Sequence, residues 1–237
     1  MTDQSITTSN PPVPRQTPGA ITLQAIPTPT HGAGGSFSVI SALHIAASPD
    51  VAFTTLLEHS TWPDWNRFVR RVTVSSSPPP SEPSPDASAL ETAVTKDDGQ
   101  RYIKKGTLMT FQVHLDPDNE KSYTKQAMEV TLLEPFDAHE TKRGWRVAWK
   151  GTSIPSMLLR TERVQEFVDD GHGGTEYTCW ETMYGPLAPV VRMTTGKSLE
   201  KGFEAWGVDL KARAEKAAQE SGGAAAVAAG GVLGTSR

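Results

Sequence analysis

The sequence predicts an α+β fold in which a curved antiparallel β-sheet closes over a long C-terminal helix. Three observations carry that prediction. Thr175 to Tyr184 alternates with period two, so that Tyr177, Cys179, Glu181 and Met183 share one face of a strand. Gly185-Pro186 then leads into a run whose apolar or small stripe passes through Val191, Thr194, Ser198, Phe203, Trp206, Leu210 and Ala214, with most charges off it. Upstream lie only alternating segments and two short helices, so a sheet is the one surface broad enough to receive that helix.

In chain order, Phe37, Val39, Leu43 and Ile45 mark a first strand. Ser48-Pro49-Asp50 opens a short helix with Ser as N-cap and Pro at the first helical position, and Val51, Phe53, Leu56 and Leu57 form its apolar face. Thr61 to Val69, with two Trp and one Asn, reads as a second helical turn in which Trp62 and Trp65 seat the helices and Asn66 caps locally. Strands are then expected at Val69 to Val74, Thr107 to Leu115, Tyr123 to Leu133, Gly144 to Lys150 and Leu159 to Val168. In the third of these, Met128, Val130 and Leu132 are expected on one face. The run Asp169 to Gly174 joins the last two strands as a hairpin and precedes a strand, which excludes a phosphate-binding loop. The final helix is expected from Leu187. Gly196 and Gly202 interrupt it, each at a cost of about 1 kcal/mol relative to Ala, which points to a bend or a close backbone approach.

Composition sets the remaining bounds. Residues 1–35 hold six prolines and no aromatic side chain, 75–98 opens on a Ser/Pro run, and 219–237 is rich in Ala and Gly. All three are expected to be disordered, since they carry too little apolar surface to offset the entropy of ordering. This leaves 36–218 as one domain. A net charge of -4 with mixed signs leaves no basic footprint for nucleic acid. No apolar run approaches the roughly 20 residues of an integral membrane segment, and the N-terminus lacks the pattern of a targeting peptide. A single cysteine permits no intramolecular disulfide and suits a reducing compartment, so a cytoplasmic location is expected. The six histidines show no metal-ligand spacing, and no cofactor is implied. Oligomeric state is not legible.

Trp62 to Val69, Gly174-Thr175, Glu181-x-Met183-x-Gly185 and the closing Phe203-Glu-Ala-Trp206 helix, in this order of elements, resemble the START-like (Bet v 1-like, SRPBCC) superfamily. The polyketide cyclase/dehydrase and coenzyme Q-binding type is the nearest look. The resemblance covers about 36–216 and implies a helix-grip fold with an elongated apolar cavity between sheet and helix. It also implies a hydrophobic ligand such as a lipid, quinone or polyketide. The chain departs from the family pattern where Met183 stands for Phe, Arg163 for a common His and Gln165 for an aromatic.

Cross-strand charge selects the hairpin register. Residue numbers of facing pairs that sum to 344 place Arg163 opposite Glu181, whereas 343 sets Glu162 against Glu181, a like-charge contact that destabilises. Glu181 and Arg163 are therefore the candidate catalytic pair, with a structural ion pair as the plainer reading. A guanidinium partner favours the charged carboxylate, which suits a base better than an acid. Trp149, Tyr177, Met183, Phe111, Met109, Phe167 and Trp206 are the candidate ligand-binding residues, and core packing explains the same side chains. Cys179, mid-strand among apolar neighbours, reads as an inert buried thiol. Two functions follow: binding of a hydrophobic small molecule in the cavity, or a cyclase/dehydratase-type enzyme with Glu181 as acid/base.

Overall fold

A computed structural model describes residues 13–139 and 142–230. Its elements are β1 (Ala20–Thr22), β2 (Phe37–Ile45), α1 (Pro49–Leu57), α2 (Trp62–Trp65), β3 (Val69–Ser76), α3 (Ala89–Lys96), β4 (Leu108–Val113), β5 (Thr124–His139), β6 (Lys142–Gly151), β7 (Arg160–Asp169), β8 (Thr175–Tyr184) and α4 (Ala188–Gly230). The strands form one eight-stranded sheet in the order β1-β2-β8-β7-β6-β5-β4-β3, and every neighbouring pair is antiparallel. With α4 lying in the curve of the sheet, this is the helix-grip arrangement.

Local chemistry sets most boundaries. Pro49 occupies the start of α1, although Ser48 makes no side-chain cap bond. Asn66 ends α2 by accepting the amides of Phe68 and Val69 through Oδ1, at 3.1 and 2.8 Å. Gly185 has φ +95°, and a Cβ there would lie 2.8 Å from the Leu158 carbonyl, so only glycine makes the turn from β8 into α4. In α4, Phe203, Trp206, Leu210 and Ala214 are buried as expected, whereas Thr194 is exposed and the helix begins at Ala188 instead of Leu187. Gly202 explains itself: a Cβ would come within 2.2 Å of the Phe68 ring, which packs directly on the helix backbone.

Both faces of the sheet are apolar. The inner face, with α1 and α4, contains Phe37, Val39, Phe53, Trp62, Phe111, Val147, Trp149, Phe167 and Trp206. A second cluster of Val13, Ile26, Ile40, Ala42, Ala148, Val164 and Trp180 lies on the outer face. A bulge between Val130 and Leu132 shifts the phase of β5, so Leu132 joins the outer cluster and Leu133 takes the inner position that strict alternation assigned to Leu132.

The outer cluster corrects the reading of 1–35 as disordered. Residues 1–12 lie outside the described residues, but the segment from Val13 is a strap across the back of the sheet. Ile26 is 2% exposed. Its amide donates to Ser38 Oγ at 2.8 Å, and its carbonyl accepts from Thr182 Oγ1 at 2.6 Å. Trp180 Nε1 reaches the Pro27 carbonyl at 3.2 Å, and the Tyr184 hydroxyl donates to the Gly32 carbonyl at 2.7 Å. Thr30 donates twice to the fully buried carboxylate of Glu162, through its amide at 2.8 Å and its hydroxyl at 2.6 Å. Outside β1 and the Thr17 carbonyl, which accepts the Ala42 amide, proline-rich backbone suits this role because its partners are mainly side chains of the sheet, not a continuous ladder.

The 75–98 insertion is also structured. α3 opens with a capping box between Ser88 and Glu91, buries Val94, and packs Leu90 against the inner core. Lys104 Nζ donates to the Asp97 carbonyl at 2.6 Å and to those of Pro79 and Thr95 at 3.4 and 3.5 Å, tying both ends of the insertion to the body. In the region expected as a disordered tail, α4 continues to Gly230, and 231–237 lie outside the described residues.

Truncation of residues 1–35 uncovers Ile40, Val164 and Trp180 and removes the burial of Val13 and Ile26. Urea denaturation is expected to show a loss of about 3–5 kcal/mol; an unchanged midpoint would show that the strap contributes nothing. The β7–β8 hairpin supplies a pH prediction. Desolvation opposes ionisation of Asp170, but hydrogen bonds from His44 and from the amides of His172 and Gly174 hold its carboxyl down at about 2. A depressed carboxylate contributes stability above its unfolded value and loses it as pH falls through the folded one. Between about pH 4 and pH 2 the parent is therefore expected to lose more stability than Asp170→Asn, read as the difference between their thermal midpoints.

Candidate functional site

The space between α4 and the inner face divides into two unlike halves. Toward the C-terminal half of the helix it is filled. Phe53 stacks on Trp145 at 5.1 Å and meets Phe167 edge-on at 5.3 Å, and Phe167 packs on Tyr177 at 5.0 Å. The Tyr177 hydroxyl donates to Gln165 Oε1 at 2.6 Å, and Trp206 Nε1 donates to the same oxygen at 2.9 Å. A Trp N–H only donates, so this pair of bonds fixes the orientation of the Gln165 amide. Trp62 fills the centre, with Trp206 at 5.1 Å, Phe111 at 5.5 Å and Trp149 at 6.4 Å.

Toward the first turns of α4 the same space is open, a cavity of about 300 Å³. Its sheet wall comes from Phe111 and Val113 of β4, Met128 of β5, Trp149 of β6, and Met183 of β8. Val191, Thr195 and Leu199 of α4 form the opposite wall, and Ile154 and Leu159 stand at the β6–β7 loop. The volume sits at the lower end of the range for small-molecule sites.

Arg163 and Glu181 are the charged groups on this wall. They face each other in the predicted register, with Gln165 opposite Cys179 and Phe167 opposite Tyr177. Arg163 Nε and Nη2 both donate to Glu181 Oε2, at 3.0 and 2.9 Å, and the side chains are only 6% and 12% exposed. Ion pairs at such depth lose hydration energy that their attraction returns only in good geometry. Aromatic faces supply the rest: the guanidinium carbon lies 4.2 Å from the Phe203 centroid, 5.3 Å from Trp206 and 5.4 Å from Phe68. Glu181 Oε1 hydrogen-bonds no other described residue.

Of the predicted site residues, the structure brings Glu181, Arg163, Trp149, Met183 and Phe111 to the cavity. Met109, Phe167, Tyr177 and Trp206 do not line it; they are buried in the packed half or behind the wall. Period two assigns all of them correctly to the inner face, but distance along the strand decides whether a residue meets the opening or the plug. Burial pushes the Cys179 thiol up to about 12 and the Tyr177 phenol well above its ordinary value, so both stay protonated at neutral pH. The sequence reading missed Phe68, Thr161, Ile154, Thr195 and Leu199. Ile154 lies in a connection without periodicity, while Leu199 stands one position from Ser198 in the helical stripe and was the signal closest to hand.

No family model matches this chain. It is 28% identical over 197 residues to the oxopyrrolidines biosynthesis cluster protein O of Penicillium oxalicum, covering 76% of this chain and 87% of that protein. Among solved structures it is similar to a START superfamily protein from Mycobacterium smegmatis, at 14% identity, TM-score 0.43, and coverage of 76% and 97% of the two chains. It is also similar to the di-domain aromatase/cyclase of the steffimycin pathway, at 16% identity and TM-score 0.47 over 78% of this chain and 52% of that one. The architecture, an eight-stranded antiparallel sheet with α4 in its curve, is the helix-grip fold that the sequence resemblance implies.

The buried pair supplies a test of its own weight. Arg163→Met alone strands a buried carboxylate and is expected to cost about 3–5 kcal/mol in chemical denaturation, whereas Arg163→Met with Glu181→Leu is expected to recover most of that loss. Additive losses in the double variant would show that the two side chains are not coupled.

Proposed function

We propose that this protein binds a hydrophobic small molecule in the cavity between α4 and the inner face of the sheet, with Arg163 and Glu181 as its polar anchor. One observation carries the reading: a space of about 300 Å³ walled by Phe111, Met128, Trp149, Met183, Val191 and Leu199 adjoins a single charged pair. An apolar body gains by leaving water there, and a carbonyl or hydroxyl on it finds a directional partner on one wall. The name of the Penicillium oxalicum relative, a biosynthesis cluster protein, supports a product or intermediate of small-molecule biosynthesis as ligand.

A second reading is an enzyme of the cyclase/dehydratase kind. The observation in its favour is that Glu181 spends only Oε2 on Arg163, which leaves Oε1 to take a proton from a carbon next to a ketone. Arg163 would then position the carboxylate.

Native mass spectrometry of the purified protein, or thermal shift against a panel of quinones, fatty acids and polyketide-like ketones, tests the first reading. Val191→Trp fills the cavity from the helix side and is expected to lower ligand retention at least about tenfold with little change in midpoint without ligand. Retention undiminished in Val191→Trp would place the ligand elsewhere. For the second reading, Glu181→Gln must abolish turnover of a ketone substrate; turnover at the parental rate removes Glu181 from any proton transfer.

A further inference from the structure

Besides covering the outer cluster, the strap carries a basic side chain to a fixed place. Its turn from Thr28 to Gly32 closes on itself, the Gly32 amide donating to the Thr28 carbonyl at 2.8 Å and the Thr28 amide to the Gly32 carbonyl at 3.2 Å. Thr30 on Glu162 and the Tyr184 hydroxyl on Gly32 tie that turn to the sheet. His31, held within it, meets the Tyr184 ring edge-on at 5.3 Å, and the guanidinium carbon of Arg160 lies 5.7 Å from the centroid of the same ring. One aromatic side chain thus brings a strap histidine and a β7 arginine together. They border a recess of about 520 Å³ whose third basic side chain is Lys150 of β6. Thr152, Ser153 and Ser156 add hydroxyls, and no carboxylate among the described residues lines it.

Carboxylates near the recess leave much of its positive charge unmatched. Lys150 bonds Glu129 at 3.0 Å, with both side chains partly exposed. Glu162 is fully buried and occupied by Thr30 and Thr131. Arg160 ion-pairs with no carboxylate among the described residues. Burial holds the His31 imidazole below its ordinary pKa; Glu162 draws it up, while Arg160 and Lys150 push it down, the mark of basic groups sharing one space. We propose that this recess binds the phosphate group of a soluble phosphate ester, with Arg160, Lys150 and His31 donating to its oxygens. A phosphate ester carries about -1.5 to -2 charge and three acceptor oxygens, which three nitrogen donors from separate segments match better than they match a two-oxygen carboxylate. The remaining volume and the hydroxyls receive the organic part. The recess shares Gly151, Ile154 and Leu159 with the apolar cavity, but Lys150 pairs in register with the outward Glu162, whereas Trp149 pairs with the inward Arg163. The two sites therefore stand or fall separately.

The test is calorimetric titration of the full chain with sodium pyrophosphate and, separately, inorganic phosphate. Pyrophosphate is expected to bind with Kd below about 1 mM, tighter than phosphate and weakening as salt rises. Arg160→Gln and Lys150→Gln are each expected to lower its affinity roughly tenfold, while Lys216→Gln, on the C-terminal part of α4, leaves it unchanged. Both recess side chains reach solvent, so urea midpoints should hold. A second readout is the His31 ring signal in NMR, assigned by its loss in His31→Gln. With pyrophosphate it is expected to shift and to titrate at higher pH, since a nearby anion favours imidazolium. No binding at about 10 mM pyrophosphate, an unmoved His31 signal, or parental affinity in Arg160→Gln overturns the proposal. So does binding to phosphatidic acid vesicles with neither soluble probe taken up, which would assign the recess to a lipid headgroup. Val191→Trp is expected to leave pyrophosphate binding intact; its loss there would place the anion in the apolar cavity instead.

Discussion

The separation between α4 and the sheet is set by three indoles. Trp62, carried by the four-residue α2, packs against Trp149 of the sheet at 6.4 Å and Trp206 of the helix at 5.1 Å, and those two rings also meet each other at 6.1 Å, with steep tilts at each contact. Rings this large, packed edge to face, resist compression. They prop the middle of the helix away from the strands. On one side of the prop Phe53, Phe167 and Tyr177 fill the gap; on the other Phe68, Phe111 and Trp149 line the space without filling it, and the cavity results. The buried Arg163 sits against the same prop, with its charge over Trp206 and Phe203 and its hydrogen bonds on Glu181. Structural and functional readings of that pair describe one object, since a group that must be held without water for the fold is also pre-organised for a ligand.

A sheet with two apolar faces imposes the second constraint. One helix covers only the inner face, and Ile40, Val164 and Trp180 on the outer face would otherwise meet solvent. The strap from Val13 to Gly35 covers them through two apolar anchors and a row of side-chain to backbone bonds, in which Ser38, Thr182 and Tyr184 supply the hydroxyls. Glu162 shows how tightly this is built. It is fully buried, and its oxygens accept from Thr30 and from Thr131 Oγ1 at 2.7 Å.

The exposed side chains of Ile154, Met157, Leu158, Leu187, Val190 and Met193 belong to the same geometry. Gly185 turns β8 into α4 beside Leu158, so the β6–β7 loop and the first turns of the helix meet at the open end of the cavity. Side chains that would close a packed core point outward here. The opening and its exposed rim are two consequences of one local decision: to begin α4 at Ala188 without an aromatic to seal its first two turns.

Seven of the eight strands, the hairpin register and the inner-face set apart from Leu132 were legible from residue order, because period two and like-charge repulsion act between neighbours that a sequence displays. The Arg163–Glu181 contact is the clearest case: one-residue slippage brings two carboxylates together, and that penalty can be read without coordinates. Two kinds of information were not local. Order in the strap and in α3 depends on partners far along the chain, such as Ile26 with Thr182 and Leu90 and Val94 with the inner core, so composition alone made those segments look unable to fold. Whether Tyr177 or Met183 faces a hollow depends on where three distant indoles meet, and on the bulge that turned Leu132 outward. Outside the β5 bulge, residue order determined which face a strand side chain takes; only the tertiary structure decided which part of that face is filled, because packing is settled by volumes brought together from opposite ends of the chain.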